Sequence, residues 1–329
     1  MYSLFIIFLL SYILSRLNTE NFFIDIFNQL SFQILIGGII LFLILLFIRK
    51  FKTSIACILI CLILAVEILP NCKNCNSYVK MNPQNDTKIR LMTFNTSYAV
   101  DSTLPNWFIS LEEFLIKNKN LKSENTENLE ILRNLILTEN PDIVQFEETT
   151  SEFRDKIEYF ESIFPYRYIV KYEYPNIADS VILSRYPFKK NNSTDNDPVI
   201  STIIIKEAEL NILSVHLYSG INQTRFNIAN KQIETIKNQI KDQNQNLIVI
   251  GDFNMTPISR RFINFLEEAN LYTYTSFLNH TSTWPAFLPN YLGIQIDHVL
   301  FSENFKVIKK KTIKNLGSDH RALIVDLVF

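Results

Sequence analysis

LIVIGDFNMTP, residues 247–257, is the stretch on which the reading of this chain turns. Four apolar residues, Leu247 to Ile250, run straight into Gly251, Asp252, Phe253 and Asn254. The run has the length and the β-branched content of a buried strand. Strand side chains alternate between faces, so Asp252 and Asn254 aim at one point if the extended geometry continues past Gly251. Gly, Asp and Asn are also turn formers, and a plain turn is the competing reading.

Working outward, similar apolar runs recur at Ile89–Phe94, Asp142–Phe146, Tyr166–Tyr172, Ser180–Leu183, Ile200–Ile205, Leu210–His216, Ile296–Phe301 and Ala322–Val328. Helical patterns intervene at 124–139, 151–163, 222–242 and 259–269. Strands alternating with helices predict a layered α/β domain over residues 88–329, with helices covering the sheets. The chemistry-bearing residues collect at the ends of these runs: Asn95, Glu147-Glu148, His216, Asp252, Asp297 and Asp319-His320. Each has a plain structural role open to it. Asn95 could cap a helix, Glu148 could be solvated, His216 could be a satisfied core histidine, and Ser318-Asp319 could form a turn. Together they make a set suited to one hard cation and to phosphate chemistry, because oxygen donors suit Mg²⁺, Mn²⁺ or Ca²⁺. Arg225, nine residues after His216, could meet a substrate phosphate or simply form a salt bridge on its helix.

The first seventy residues are a different material. Residues 2–15, 29–48 and 54–70 are apolar, and a bilayer span takes about 20 apolar residues. The first run lacks a basic start and a small-residue cleavage site, so it reads as a retained helix rather than a signal peptide. Arg49-Lys50-Phe51-Lys52 forms a basic loop between the second and third runs, and basic loops stay cytoplasmic. That places the N-terminus inside and everything after Pro70 outside. The expectation is a multi-pass protein of the cell (inner) membrane with a periplasmic or extracytoplasmic domain, joined by a linker over residues 71–87. Cys72 and Cys75 have C-x-x-C spacing, but no second pair completes a zinc site.

Read in order, the motifs F-N (94–95), P-D-I-V-Q-F-E-E (141–148), S-R-Y-P (184–187), H-L (216–217), G-D-F-N (251–254), I-D-H (296–298) and S-D-H (318–320) resemble the endonuclease/exonuclease/phosphatase superfamily. The segment TSTWPAFLPNYLGIQIDHVL, residues 281–300, further resembles its membrane-anchored bacterial branch. The resemblance implies a four-layer α/β sandwich, two sheets packed face to face with helices outside and a site at one edge. Carried over, Glu148 resembles the main metal carboxylate and Asn95 a metal or phosphate ligand. The usual Q-E is here Glu147-Glu148, so Glu147 stays open as an alternate. Asp252 and Asn254 stand where the family orients water and phosphate. His320 resembles the catalytic histidine, Asp297 its orienting acid, and Asp319 a member of the metal or water shell. His216 matches a histidine that donates to phosphate or to the leaving oxygen. Ser97 stands where some relatives have an acid, which puts a second metal site in question.

The function expected is metal-assisted hydrolysis of a phosphate ester, with Mg²⁺, Mn²⁺ or Ca²⁺ as cofactor. The partners expected are a lipid, nucleic-acid or small-molecule phosphate ester and the membrane, with no obligate protein partner. Of 32 basic and 33 acidic residues, four and three lie before residue 71, so 28 and 30 remain after it. Duplex binding favours a basic face, and only Lys306, Lys309, Lys310, Lys311 and Lys314 cluster. Those lysines suit the guarding of an edge strand. An outward-facing nuclease and a non-catalytic binding module are the alternatives; the second would have lost the Glu, the GDxN pair or the terminal His, and all are intact.

Overall fold

The computed structural model describes residues 2–17, 20–68, 87–96, 126–149, 151–172, 179–189, 200–241, 246–275, 281–313 and 318–329. The linker through residue 86, the Cys72–Cys75 pair, Ser97 and Lys314 lie outside the described residues. Ten strands form two sheets: β1 (Lys88–Asn95), β2 (Ile143–Glu147), β3 (Tyr166–Val170), β4 (Ser180–Ser184), β5 (Ser201–Ile205), β6 (Ala208–His216), β7 (Leu247–Asp252), β8 (Asp297–Phe301), β9 (Lys306–Ile313) and β10 (Ala322–Val328). One sheet has the order β3-β4-β2-β1-β10-β9, the other β5-β6-β7-β8. Among the described residues, only β1–β2 and β6–β7 are parallel pairs.

Alternation along the strands builds the layers. Leu91 and Ile143 join Ile248, Ile250, Val299 and Leu323 in a core between the sheets. Their neighbours Met92 and Val144 turn the other way, onto Leu132, Ile136, Phe153 and Phe160. Leu132 and Ile136 belong to α5 (Thr126–Glu139), Phe153 to α6 (Ser151–Asp155), and Phe160 to a 3-10 turn at Ile157–Phe160. On the far side Val215 and Val249 meet Ile233 of α7 (Gln223–Ile240) and Phe262 of α8 (Arg260–Ala269). The result is the expected α/β/β/α sandwich. The helix expected over 151–163 is a short α-helix followed by a 3-10 turn, and β9 is a strand added by tertiary pairing. Its lysines do line the sheet edge, although Lys310 turns its ammonium inward to Tyr274 O at 2.9 Å and Gln295 Oε1 at 2.7 Å.

The N-terminal part forms α1 (Tyr2–Leu14), α2 (Phe22–Gln29), α3 (Ser31–Phe47) and α4 (Phe51–Ile68). Among the described residues, α4 alone is long and apolar enough to cross a membrane; α2 and α3 qualify together but are bent by 62°. The second apolar run therefore begins at Ser31, and α2 is a separate amphipathic helix. Its Asp25 and Asn28 are buried while Phe23 and Ile26 are exposed. Arg16, just past α1, donates to Glu67 at the end of α4 (3.1 Å) and to Ser31 at the start of α3 (2.7 Å), which brings these three helix ends together.

An ion pair on the buried Asp326 joins two neighbouring strands of the larger sheet. Arg90 on β1 holds Asp326 on β10 with two bonds, 2.6 and 2.8 Å, and Lys88 adds a third contact at 2.9 Å. Burial opposes the charged carboxylate, but the bonds from Arg90 and Lys88 outweigh it and hold its pKa below the usual value. Asp326→Asn leaves the guanidinium underpaired and should cost about 3 kcal/mol in denaturant unfolding. Because the folded-state pKa is depressed, this contribution is complete above the ordinary carboxylate range. The difference between wild type and variant should therefore narrow as pH falls below about 4.

Candidate active site

Strand direction alone gathers the polar residues. β1 and β2 run parallel and end together at Asn95 and Glu147. β6 and β7 run parallel and end with His216 opposite Asp252. β8 runs the other way and starts with Asp297 opposite Asp252. β10 starts just after His320 and is antiparallel to β1. Six sequence-distant segments thus deliver their polar ends to one edge of the sandwich.

The GDFN stretch resolves its ambiguity by being strand and turn in succession. β7 continues through Asp252, and the chain then turns, with Asn254 in the left-handed region at φ 50°. Asp252 Oδ1 accepts the Asn254 N–H at 2.7 Å, while Asn254 Nδ2 reaches Asp252 Oδ2 at 3.2 Å and Leu217 O at 2.8 Å. The two side chains converge through this turn and not through extended geometry. Gly251 is dictated by crowding: at φ 141° a Cβ there would lie 1.9 Å from Val215 O and 2.8 Å from Glu147 Oε1.

The two adjacent glutamates separate cleanly. Glu147 is fully buried and both its oxygens accept the Asp252 N–H, at 2.8 and 3.0 Å, so it cross-braces the two sheets. Glu148 stands at φ 53°, a left-handed conformation that costs a non-glycine residue energy and is over-determined by its surroundings. This twist turns its carboxylate to Asn95 Nδ2 at 3.0 Å and His216 Nε2 at 3.5 Å. Asn95 Nδ2 is also 3.4 Å from Asp252 Oδ2, which joins the ends of β1 and β7.

His320 Nδ1 lies 2.9 and 3.2 Å from the two oxygens of Asp297, and its Nε2 is 3.9 Å from Asp252 Oδ2. Nδ1 therefore donates its proton to Asp297, and Nε2 is left facing Asp252. Burial disfavours the imidazolium, but the carboxylates of Asp297 and Asp319 outweigh it and raise the pKa well above the usual value. His216 is the opposite case. Burial first, and the nearby His320 second, lower it to about 4, so it is neutral, and its buried Nδ1 has no hydrogen-bond partner among the described residues. Asp319 accepts the Trp284 indole N–H at 3.0 Å. His298, beside Asp297, is structural: Nε2 meets Met255 O at 2.8 Å and Nδ1 meets Gln295 Nε2 at 3.1 Å. Arg225 is buried one layer out, bonded to Ser219 at 3.3 Å with its guanidinium over the Tyr218 ring. Arg321 is a residue the motifs did not single out. It binds Ser282 Oγ at 2.5 Å, Asn290 and the Leu288 carbonyl, and so shapes the loop 282–290 beside the site. Its one sequence signal is a cation set between S-D-H and an apolar strand.

Donor atoms of Glu147, His216 and Asp252, and of Asp252, Asp297 and His320, lie within 4.8 Å of one another. Burial raises Glu148 to about 7, and burial followed by neighbouring carboxylates raises Asp252 and Glu147 well above the carboxylate range. Crowded, desolvated carboxylates beside an unpartnered imidazole nitrogen are a donor set that a divalent cation would relieve, so the residues fit a metal.

Glu147 has a separate test. Its carboxyl is driven toward the neutral form, and glutamine matches that shape and still accepts the Asp252 N–H. Glu147→Gln should change unfolding free energy by less than about 1 kcal/mol, whereas Glu147→Ala strands a buried N–H and should cost about 2–4 kcal/mol.

Residues 92–320 match the Endonuclease/Exonuclease/phosphatase family. Among curated proteins no sequence matches the chain. In structure it is similar to an endonuclease/exonuclease/phosphatase from Beutenbergia cavernae (15% identity, 73% of this chain and 71% of that one, TM-score 0.54). It is also similar to the human Nocturnin catalytic domain with bound sulfate (19%, 77% and 97%, TM-score 0.53). A third similar structure is D. rerio TDP2 complexed with a single-strand DNA product (15%, 73% and 99%, TM-score 0.51). These likenesses agree with the sandwich fold. By its match over residues 92–320, the chain belongs to the Endonuclease/Exonuclease/phosphatase family.

Proposed function

We propose that this protein is a membrane-anchored, divalent-metal-dependent phosphoesterase whose catalytic domain, residues 88–329, works on the outer face of the membrane. The observation that carries the reading is the convergence of Asn95, Glu148, Asp252, Asn254, Asp297 and His320 from both sheets onto one buried edge.

Glu148, with Asn95 and Asp319 beside it, would hold the cation, here Mg²⁺, Mn²⁺ or Ca²⁺. Bound there, the ion supplies charge neutralisation for the phosphoryl oxygens. Asp252, a carboxylate made more basic by burial, aligns the attacking water and accepts its proton. Asn254, fixed by its bond to Leu217 O, sets the face of Asp252 that meets water. His320, charged at neutral pH and held through Nδ1 by Asp297, presents Nε2–H to a phosphoryl or leaving oxygen. His216, held neutral, donates a hydrogen bond to the phosphate without adding charge. Arg225 props the loop after His216 that would border the phosphate. The basic loop 49–52 supports the outward orientation, and Arg16, Ser31 and Glu67 on one side fit it.

With bis-p-nitrophenyl phosphate as substrate, Glu148→Gln, Asp252→Asn and His320→Gln should each lower kcat at least about a thousandfold, with circular dichroism unchanged. Wild-type turnover in all three would overturn the assignment. Removal of divalent ions with EDTA should abolish turnover, and Mg²⁺ should restore it. Binding a cation requires Glu148, raised to about 7, to lose its proton. The rise in Tm at fixed Mg²⁺ should therefore grow between about pH 5.5 and pH 8. A rise that shrinks over that range would contradict the assigned ligands.

A further inference from the structure

The contacts between the N-terminal helices and the catalytic domain fall on the site edge. Gln29 at the end of α2 accepts the Thr256 N–H at 2.6 Å, two residues beyond Asn254. Asn28 Oδ1 accepts the Arg260 N–H at 2.9 Å, at the first turn of α8, and Asp25 pairs with Arg261 at 3.2 Å. Gln223, at the start of α7, donates to Glu20 O at 2.8 Å. Gln33, in the first turn of α3, donates to Gly293 O at 2.9 Å. Thr256, Arg260 and Gln223 follow the C-terminal ends of β7 and β6. Gly293 precedes the N-terminal end of the antiparallel β8, which is the same edge. The edge that carries Asp252, His216 and Asp297 is thus the edge bound to the helices.

Three further features share this edge. The polar face of α2 is spent on the domain, which leaves Phe23 and Ile26 outward at 53% and 37% exposure. The loop 284–293 runs from Trp284, bonded to the site residue Asp319, to Gly293, bonded to α3. Its tip exposes Phe287, Tyr291 and Leu292 at 38%, 59% and 42%, and Arg321 fastens its backbone from beneath. Ile221, between His216 and α7, is 41% exposed. Exposed aromatic and aliphatic side chains on a loop tied to the first turn of an apolar helix are of the kind that partitions into a bilayer interface.

We propose that the site edge rests on the outer leaflet of the membrane the protein is anchored in, and that its substrate is a phosphate ester of a membrane lipid. The loop 285–292, α2 and Ile221 form the contact. This rests on the phosphoesterase reading and adds its substrate class. A headgroup phosphate lies just above the acyl boundary, where these side chains would seat and where the Asp252–His320 pair is held. A long polynucleotide would have to pass between the site and the leaflet.

The test uses the full-length protein with Mg²⁺ in nanodiscs of phosphatidylethanolamine, phosphatidylglycerol and phosphatidylinositol. Product release is followed by mass spectrometry beside two soluble probes, bis-p-nitrophenyl phosphate and a single-stranded oligonucleotide. Wild type should cleave a disc lipid. Phe287→Ser/Tyr291→Ser/Leu292→Ser should lower that rate by roughly tenfold or more while the small soluble ester stays within about twofold. Separately, the emission added by Tyr291→Trp should be quenched by brominated acyl chains. Soluble-ester turnover with no lipid product, an unaltered lipid rate in the triple variant, turnover of the oligonucleotide in place of lipid, or added emission that the brominated chains leave unquenched would each overturn the inference alone. Loss of all turnover, the soluble ester included, would overturn the phosphoesterase reading and the inference with it.

Discussion

Glu147 reaches from the end of one sheet to the backbone N–H of Asp252 in the other, and the site is arranged around that bond. Face-to-face sheets pack about 10 Å apart on apolar side chains, which set spacing but not register. The carboxyl–amide contact adds direction. It requires Gly251, because any Cβ there would strike Val215 O and the same carboxyl group. It also fixes Asp252 at the point where Asn95, Asn254 and His320 can reach it. A hydrogen bond in this desolvated setting is expensive to leave unmade, so the two sheets are held in one relative position at this edge.

The same burial that gives precision creates an electrostatic problem, and the solution divides labour between paired groups. Of the two histidines, His320 faces carboxylates and holds a proton, while His216 is desolvated and stays neutral. Of the two glutamates, Glu147 is consumed by structure and Glu148 is twisted into the left-handed region to face the cleft. Environments that push like groups apart in proton affinity are what acid–base chemistry at neutral pH requires. A cation in the site would balance the excess negative charge, so metal binding and local stability are linked.

The N-terminal helices extend this organisation beyond the domain. α2 spends its Asn28, Gln29 and Asp25 on the N-terminus of α8, on Arg261 and on the turn after GDFN. A helix that is polar toward the protein and apolar away from it is suited to lie in an interface. The N-terminal helices are therefore joined to the edge that carries Asp252 and not merely to the start of β1.

By itself the sequence determined every strand but β9, their layering and the strand-end positions of the polar residues. The reason is local: apolar alternation and strand-terminal breaks are written within a few residues and do not depend on partners. The ordered motifs also singled out Asn95, Glu148, Asp252, Asn254, Asp297 and His320, which the fold brings to one edge. What the tertiary structure decided was everything that depends on a neighbour from elsewhere in the chain. It made Glu147 a brace and Glu148 a cleft-facing carboxylate, although the two are the same residue type side by side. It split two Asp-His pairs, with His298 bound to Met255 O and Gln295 while His320 faces Asp297. It added β9, whose lysines do not read as a strand until β10 supplies a ladder. It also set a separate helix, α2, ahead of the second apolar run, and the buried partners of α2 lie more than two hundred residues away. Burial and proton affinity are properties of such meetings, and no spacing within one segment encodes them.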